Sequence, residues 1–266
     1  MNEIRQCAVA GSFYPADAVT LREMIEAFIA DTDTSPTQGE TQPTKAIIAP
    51  HAGYLYSGPI AASAYAHIQQ QNQRISRVVL LGPSHRVPLT GFATSSARFF
   101  ATPLGNIPID RTAIDHINKM PTVTELDQAH ALEHSLEVHL PFLQVILPDF
   151  QLIPVVVGDA TPDAVSQLLA ELWGGAETLI VISSDLSHYH RYEIAQLLDK
   201  ATSMAIESFD IDTIDSQHAC GFIPIAGLLK RAKDLKLHVK TIDCRNSADT
   251  AGARDQVVGY GAYVFS

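Results

Sequence analysis

The chain has 266 residues, 46% apolar and 18% charged, enough apolar material for a substantial core in one α/β unit or two small ones. A formal net charge of −11, with no run of lysine or arginine, argues against nucleic acid and anionic membrane surfaces as main partners. Cys7, Cys220 and Cys244 are too few and too scattered for a disulfide framework. No apolar run approaches the roughly 20 residues of a membrane helix, and the N-terminal stretch lacks the basic-then-apolar pattern of a secretory signal. The expected setting is therefore cytoplasmic.

In chain order, residues 18–30 have helical spacing, with Leu21, Ile25, Phe28 and Ile29 able to share a face. The polar stretch 31–44, with Pro36, Gly39 and Pro43, predicts a surface loop. The run Ala46-Ile47-Ile48-Ala49 then breaks at Pro50 and presents His51. A helix follows over 57–71, with Ile60, Ala61, Ala64, Tyr65 and Ile68 on one side. Arg77-Val78-Val79-Leu80-Leu81 breaks at Gly82-Pro83 and presents Ser84-His85. Short strands broken by Pro103, Gly105 and Pro108 fill 91–110, and 111–119 predicts a short helix. A stronger helix is expected over 133–147, kinked or broken at Pro141. Residues 151–157 predict a strand, and 163–172 and 193–209 helices. Between these helices, Thr178-Leu179-Ile180-Val181-Ile182 breaks at Ser183-Ser184 and presents Asp185, His188 and His190. Pro224 lies near the start of a helix reaching Lys233, and strands at 237–242 and 257–265 complete the set.

Strands alternating with helices favour one α/β sandwich with a largely parallel or mixed sheet. Three apolar runs each end by delivering histidine, and in open α/β sheets ligands bind beyond the carboxyl ends of the strands. His51 and His85, in matched settings of Pro, Gly and Ser, are thus candidate metal ligands, since neutral imidazole is the commonest metal-binding side chain. Asp185 and His188 stand three apart, close enough for the carboxylate to orient an imidazole that moves a proton. Ser184 or Asp185 could equally cap a following helix. Cys220 precedes the Pro224 helix, where its thiolate could serve as ligand or nucleophile; a small buried hydrophobe is an equal reading. Cys7 and Cys244 read as structural, and His190 as peripheral. Glu133-His134-Ser135-Leu136-Glu137-Val138-His139 is not the His-Glu-x-x-His motif of zinc proteases, because its histidines are five apart. A solvated face accounts for Glu133. Glu137, set among apolar neighbours, is the better candidate to reach the pocket or orient a ligand. The aromatic turn Gly11-Ser12-Phe13-Tyr14-Pro15 either lies at the pocket mouth or simply packs.

Taken together, Ala10-Gly-Ser-Phe-Tyr-Pro15, Ala49-Pro-His-Ala-Gly-Tyr54, Leu81-Gly-Pro-Ser-His85, Glu133-His-Ser-Leu-Glu137, Ser183-Ser-Asp-Leu-Ser-His188, Cys220-Gly221 and Val257-Val-Gly-Tyr260 resemble the Memo family. In prokaryotes this is the Memo-like member of the AMMECR1–Memo–radical-SAM gene association. The resemblance spans nearly the whole chain and implies a single Memo-like domain over 1–266, similar in fold to class III extradiol dioxygenases, which use non-haem iron(II). Carried over by motif, the metal ligands would fall on His51, His85 and Cys220, with Asp185 and His188 in the second part of the pocket. The dioxygenases place a carboxylate where this chain has Cys220. A thiolate is softer and equally at home on zinc or copper. The implied activity is a dioxygenase-like, metal-dependent oxidoreductase holding Fe2+ and acting on a small-molecule or peptide substrate. The alternatives are a Zn2+ hydrolase or lyase on the same residues, and a non-catalytic metal-binding or scaffold protein. AMMECR1-like and radical-SAM proteins are the implied functional partners.

Overall fold

The computed structural model describes residues 3–32, 43–69 and 71–266. Of the loop expected over 31–44, residues 33–42 lie outside the described residues. The strands in chain order are β1 (Ile4–Arg5), β2 (Ala46–Ala49), β3 (Arg77–Pro83), β4 (Phe92–Thr94), β5 (Phe99–Thr102), β6 (Gly105–Pro108), β7 (Val123–Glu125), β8 (Gln151–Val157), β9 (Thr178–Ser183), β10 (His188–His190), β11 (Val239–Asn246) and β12 (Val257–Phe265). The helices are α1 (Ala18–Ala30), α2 (Tyr54–Gln69), α3 (Arg111–Ile117), α4 (Asp127–Ala131), α5 (Leu140–Ile146), α6 (Pro162–Leu172), α7 (Tyr192–Glu207) and α8 (Phe222–Asp234).

The main sheet is mixed, in the order β10-β12-β2-β9-β3-β8-β4-β7, with β11 also paired to β12. Its centre, β2-β9-β3-β8, is parallel, and the flanking pairs β12–β2 and β4–β8 are antiparallel. The central strands are buried on both faces, which explains why they read as continuous apolar runs rather than as alternation. Pro154 is tolerated inside β8 because β4 covers only Val156 and Val157 on that side, so the missing N–H interrupts no ladder there. A small second sheet, β1-β5-β6, carries the N-terminal segment.

The α/β class with a mixed, helix-flanked sheet is as expected. Three elements differ from the periodicity. The stretch 133–147 is not one helix: a turn and a short 3-10 segment (Glu137–His139) precede α5, whose first turn holds Pro141. Proline starts that helix rather than kinking it, because its missing N–H would be unsatisfied there anyway. No helix begins at Ser184 or Asp185; the chain pairs back as β10 against β12 before α7 starts at Tyr192. The strand expected over 237–242 runs on to Asn246. No helix among the described residues is long and apolar enough to cross a membrane.

Candidate metal centre

Because β2, β9 and β3 are adjacent and parallel, their carboxyl ends open on one side of the sheet. β2 delivers His51, β3 delivers His85 and β9 delivers Ser183 to Asp185. A fourth segment, 133–136, crosses the same edge. It approaches closely because Gly82 has no side chain: a Cβ there would stand 2.9 Å from both Ser135 Oγ and Leu136 Cδ2. This crossing brings His134 to the other two imidazoles. The ligand atoms of His51, His85 and His134 all lie within 4.8 Å of one another, a group able to hold a metal ion. The ring of His134 is 4.7 Å from that of His85 and 5.5 Å from that of His51, and the Phe13 ring packs against it at 4.9 Å.

Hydrogen bonds decide which ring nitrogen each ligand can offer. His51 Nδ1 lies 2.6 Å from Ser183 Oγ, and that hydroxyl donates its own proton to the Ser135 carbonyl at 2.6 Å. Ser183 must therefore accept from His51, which places the proton on Nδ1 and the lone pair on Nε2. His85 Nδ1 lies 2.9 Å from Glu133 Oε1, and a carboxylate only accepts, so the lone pair again falls on Nε2. This is the usual support of metal-bound histidine, in which an oxygen fixes the ring and its tautomer. His134 Nδ1 is buried with no hydrogen-bond partner; the Glu133 carboxylate is 3.3 Å away but not aligned with it. A bound cation would satisfy such an orphaned nitrogen.

The charges agree. Burial, reinforced by the neighbouring imidazoles of His85 and His134, holds His51 well below its ordinary pKa. Burial and His85 also lower His134, to about 4. Both rings are thus neutral at pH 7, the form that coordinates metals. Burial alone would raise Glu133, but donors from the His85 ring and the His85 and Ser135 amides push it down to about 2. It stays ionised against His85. Assigning Glu133 to a solvated face is therefore corrected: it is 1% exposed and forms the inner support of His85.

The other expected residues gather around this cluster. Cys220 Sγ is 3.4 Å from His51 Nε2 and accepts from the Asp185 amide at 3.3 Å. Its position depends on Gly221, where a Cβ would meet Ser183 O and Ser184 Cβ at 2.7 Å. Burial and the nearby Asp185 carboxylate push its thiol up to about 12. Asp185 Oδ1 accepts from the His51 amide at 2.8 Å and so fixes the ligand-bearing backbone. Burial raises Asp185 above the usual carboxylate range. His188 lines the same cavity, but its Nδ1 bonds the Leu186 carbonyl at 2.8 Å. That backbone oxygen orients His188 in the role expected for Asp185. Glu137 does not reach the pocket. It receives Arg5, the Tyr14 hydroxyl at 2.5 Å, and the amides of Ala8 and Val9 at 2.7 and 3.0 Å. His139 turns into the core against Tyr65 at 2.8 Å. His190, read as peripheral, lines the cavity too.

The profile of the Memo-like protein family matches residues 5–264. The chain belongs to that family. A MEMO1 family protein from Sulfolobus acidocaldarius is 33% identical over 287 residues, covering 97% of both chains. One from Methanosarcina mazei is 34% identical over 279 residues, covering 98% of this chain and 99% of its own. Among solved structures, an uncharacterized protein from Escherichia coli K12 superposes with a TM-score of 0.53 at 10% identity, over 81% of this Memo-like chain and 99% of the other. At that identity the likeness shows a shared fold alone. Sequence reasoning missed His134 and Glu133 as site residues of this Memo-like protein, because the helical spacing assigned to 133–147 turned one aside and the other outward.

Proposed function

We propose that this Memo-like protein is a metal-dependent oxidoreductase of dioxygenase-like type, with non-haem iron held by His51, His85 and Cys220. The observation that carries the metal reading is the paired tautomer control: Ser183 and Glu133 each take an Nδ1 proton and leave an Nε2 lone pair directed into one cluster. The 3.4 Å between Cys220 Sγ and His51 Nε2 supports the thiol as third ligand. At that separation the sulfur and the nitrogen would both be able to reach one ion. When bound, iron with open positions supplies the means to bring substrate and O2 together.

The chain's own residues do the rest. Asp185 holds the His51 backbone. His188, with its proton on Nδ1 against Leu186 O, presents the Nε2 lone pair as a proton acceptor at the cavity wall. Phe13 packs against the His134 ring.

Zinc hydrolysis is the second reading, favoured by one observation: three imidazoles within 4.8 Å form the all-nitrogen set that catalytic zinc uses. Metal analysis of anaerobically purified protein separates the two. Near-stoichiometric iron, lost in His51→Ala, His85→Ala and Cys220→Ser but kept in His134→Ala and His188→Ala, supports the oxidoreductase and calls for an oxygen-uptake screen. Zinc lost in His134→Ala but kept in Cys220→Ser moves the reading to hydrolysis. No metal after reconstitution sinks both and leaves a binding protein.

A further inference from the structure

A second cavity, of about 730 Å³, lies between α7 and β11 and shares no lining residue with the one beside the imidazole cluster. Along α7 its wall alternates in kind: Glu193, Leu197, Asp199, Met204 and Glu207. At 1.5 Å per residue, Asp199 stands about 9 Å along the helix from Glu193 and about 12 Å from Glu207. Leu197 and Met204 are exposed apolar surface that no described residue covers. Asp199 is buried, and it lies so close to β12 that a Cβ on Gly259 would collide with its Oδ2. Its Oδ1 accepts from the Ser187 amide at 3.0 Å, while no hydrogen bond from a described residue reaches Oδ2. The Ser187 hydroxyl beside it is itself without a partner. Across the groove the Thr241 hydroxyl is also buried and unpartnered, although the Thr241 amide donates to Glu207 at 2.9 Å. Two cations line the groove. Arg245 is held by Asp243, and Lys200 is exposed.

A buried carboxylate with a single donor lacks both hydration and a counter-charge. An ammonium group supplies the charge and three donors at once. The spacing of the wall adds a second requirement, because carboxylates separated by apolar side chains match a molecule in which ammonium groups are separated by methylenes. We propose that the groove between α7 and β11 is a second ligand site, and that it takes a linear aliphatic diamine or polyamine. One ammonium sits on Asp199 and another on Glu193 or Glu207, while the methylenes between them lie on Leu197 or Met204. The site is independent of the imidazole cluster, so it stands or falls apart from the metal reading.

Calorimetric titration of the EDTA-treated protein at pH 7.5 with octane-1,8-diamine, octylamine and octane-1,8-diol tests this. Removing metal keeps chelation by the amine out of the signal, and about 0.15 M salt screens diffuse attraction to the acidic surface. The expected result is binding of the diamine, with octylamine weaker by tenfold or more and the diol silent. Asp199→Asn should weaken the diamine at least tenfold, as loss of a charge-assisted hydrogen bond implies. Leu197→Lys, at an exposed position, should abolish binding by placing an ammonium of the protein's own in the groove. Thermal unfolding of both variants checks that they remain folded. Either Glu193→Gln or Glu207→Gln should bring the diamine down to the affinity of octylamine, and so identify the second carboxylate. No diamine binding, or octylamine binding as tightly as the diamine, overturns the proposal. A Kd unchanged in both Asp199→Asn and Leu197→Lys also overturns it, by assigning the amine to another part of the acidic surface.

Discussion

Glu133 and Glu137 stand four residues apart in one short segment, and each is 1% exposed, yet they support different parts of the molecule. Glu133 collects the His85 ring and the amides of His85, His134 and Ser135. Glu137 collects Arg5, the Tyr14 hydroxyl and the amides of Ala8 and Val9. A buried carboxylate is tolerated only when donors replace its lost hydration, and both meet that condition with four. The difference lies in who the donors are. Those of Glu133 belong to the imidazole cluster able to hold a metal ion, so its charge fixes the tautomer of a candidate ligand. Those of Glu137 belong to the N-terminal segment, so it ties residues 5–14 to the segment that carries His134. Through that tie Phe13 reaches the cluster. One carboxylate supports the ligands and the other supports the wall around them.

Removing the wall's support should be the more damaging change. Glu137→Ala leaves Arg5 buried and unpaired, and breaking a buried pair from one side costs about 3–5 kcal/mol. Urea unfolding is the measurement; a loss under about 1 kcal/mol would mean that the N-terminal segment is held by something else. Glu133→Gln should instead fold and lose metal. Its amide cannot accept from all four donors, and loss of the partner behind a metal-bound histidine typically weakens the metal by about 10–100-fold. Chelator competition reads this directly. Undiminished affinity in Glu133→Gln would remove His85 from the ligand set.

The parts of this arrangement that periodicity exposes are those built from long, uniform runs. The strands leading to His51, His85 and Asp185 were legible because a parallel sheet buries both faces, and the Pro, Gly and Ser that end each run mark where the chain leaves it. Segment 133–139 was not. Glu133, Leu136, Glu137 and Leu140 fit helical spacing, yet Ser135 Oγ bonds Pro83 O and Arg5 bonds the carbonyls of His130 and Glu133, contacts from distant parts of the chain that hold it as a turn. Pro141 was the local hint, since proline favours the first turn of a helix over its middle. The end of β9 misled similarly. Ser184 or Asp185 could read there as a helix cap, but no helix starts at either; Ser183 serves His51 and Ser135, while Asp185 serves the His51 amide. Those partners lie more than 45 residues away, beyond the reach of any local pattern.

Asp199 shows what happens when the donors are missing. It is 2% exposed, accepts from the Ser187 amide at 3.0 Å, and is pushed up by burial to about 6. Its folded pKa thus lies above its unfolded value near 4, and the folded form holds a proton across that window. Stability attributable to this group is present below pH 4 and is lost as pH rises through 6. Asp199→Asn keeps an acceptor without the charge. It should raise stability at pH 7.5 by about 3 kcal/mol and change it little at pH 4. A destabilised variant at pH 7.5 would show that His188 and His190, whose charges favour ionised Asp199, outweigh burial.

The smallest effect belongs to Ser183→Ala, and it weighs the two ligand supports against each other. Ser183 performs for His51 what Glu133 performs for His85, but with a neutral oxygen in place of a charged one. A neutral hydrogen bond contributes about 1 kcal/mol, roughly half a charge-assisted one. Metal affinity should therefore fall about fivefold, less than in Glu133→Gln, and the same chelator titration ranks the pair. His51 also keeps a second, independent constraint, because Asp185 still holds its backbone amide, whereas the ring and the amide of His85 both depend on Glu133. If Ser183→Ala lost as much metal as Glu133→Gln, tautomer control at His51 would matter more than charge at His85. The β2 end, rather than the Glu133 segment, would then be the principal anchor of the site.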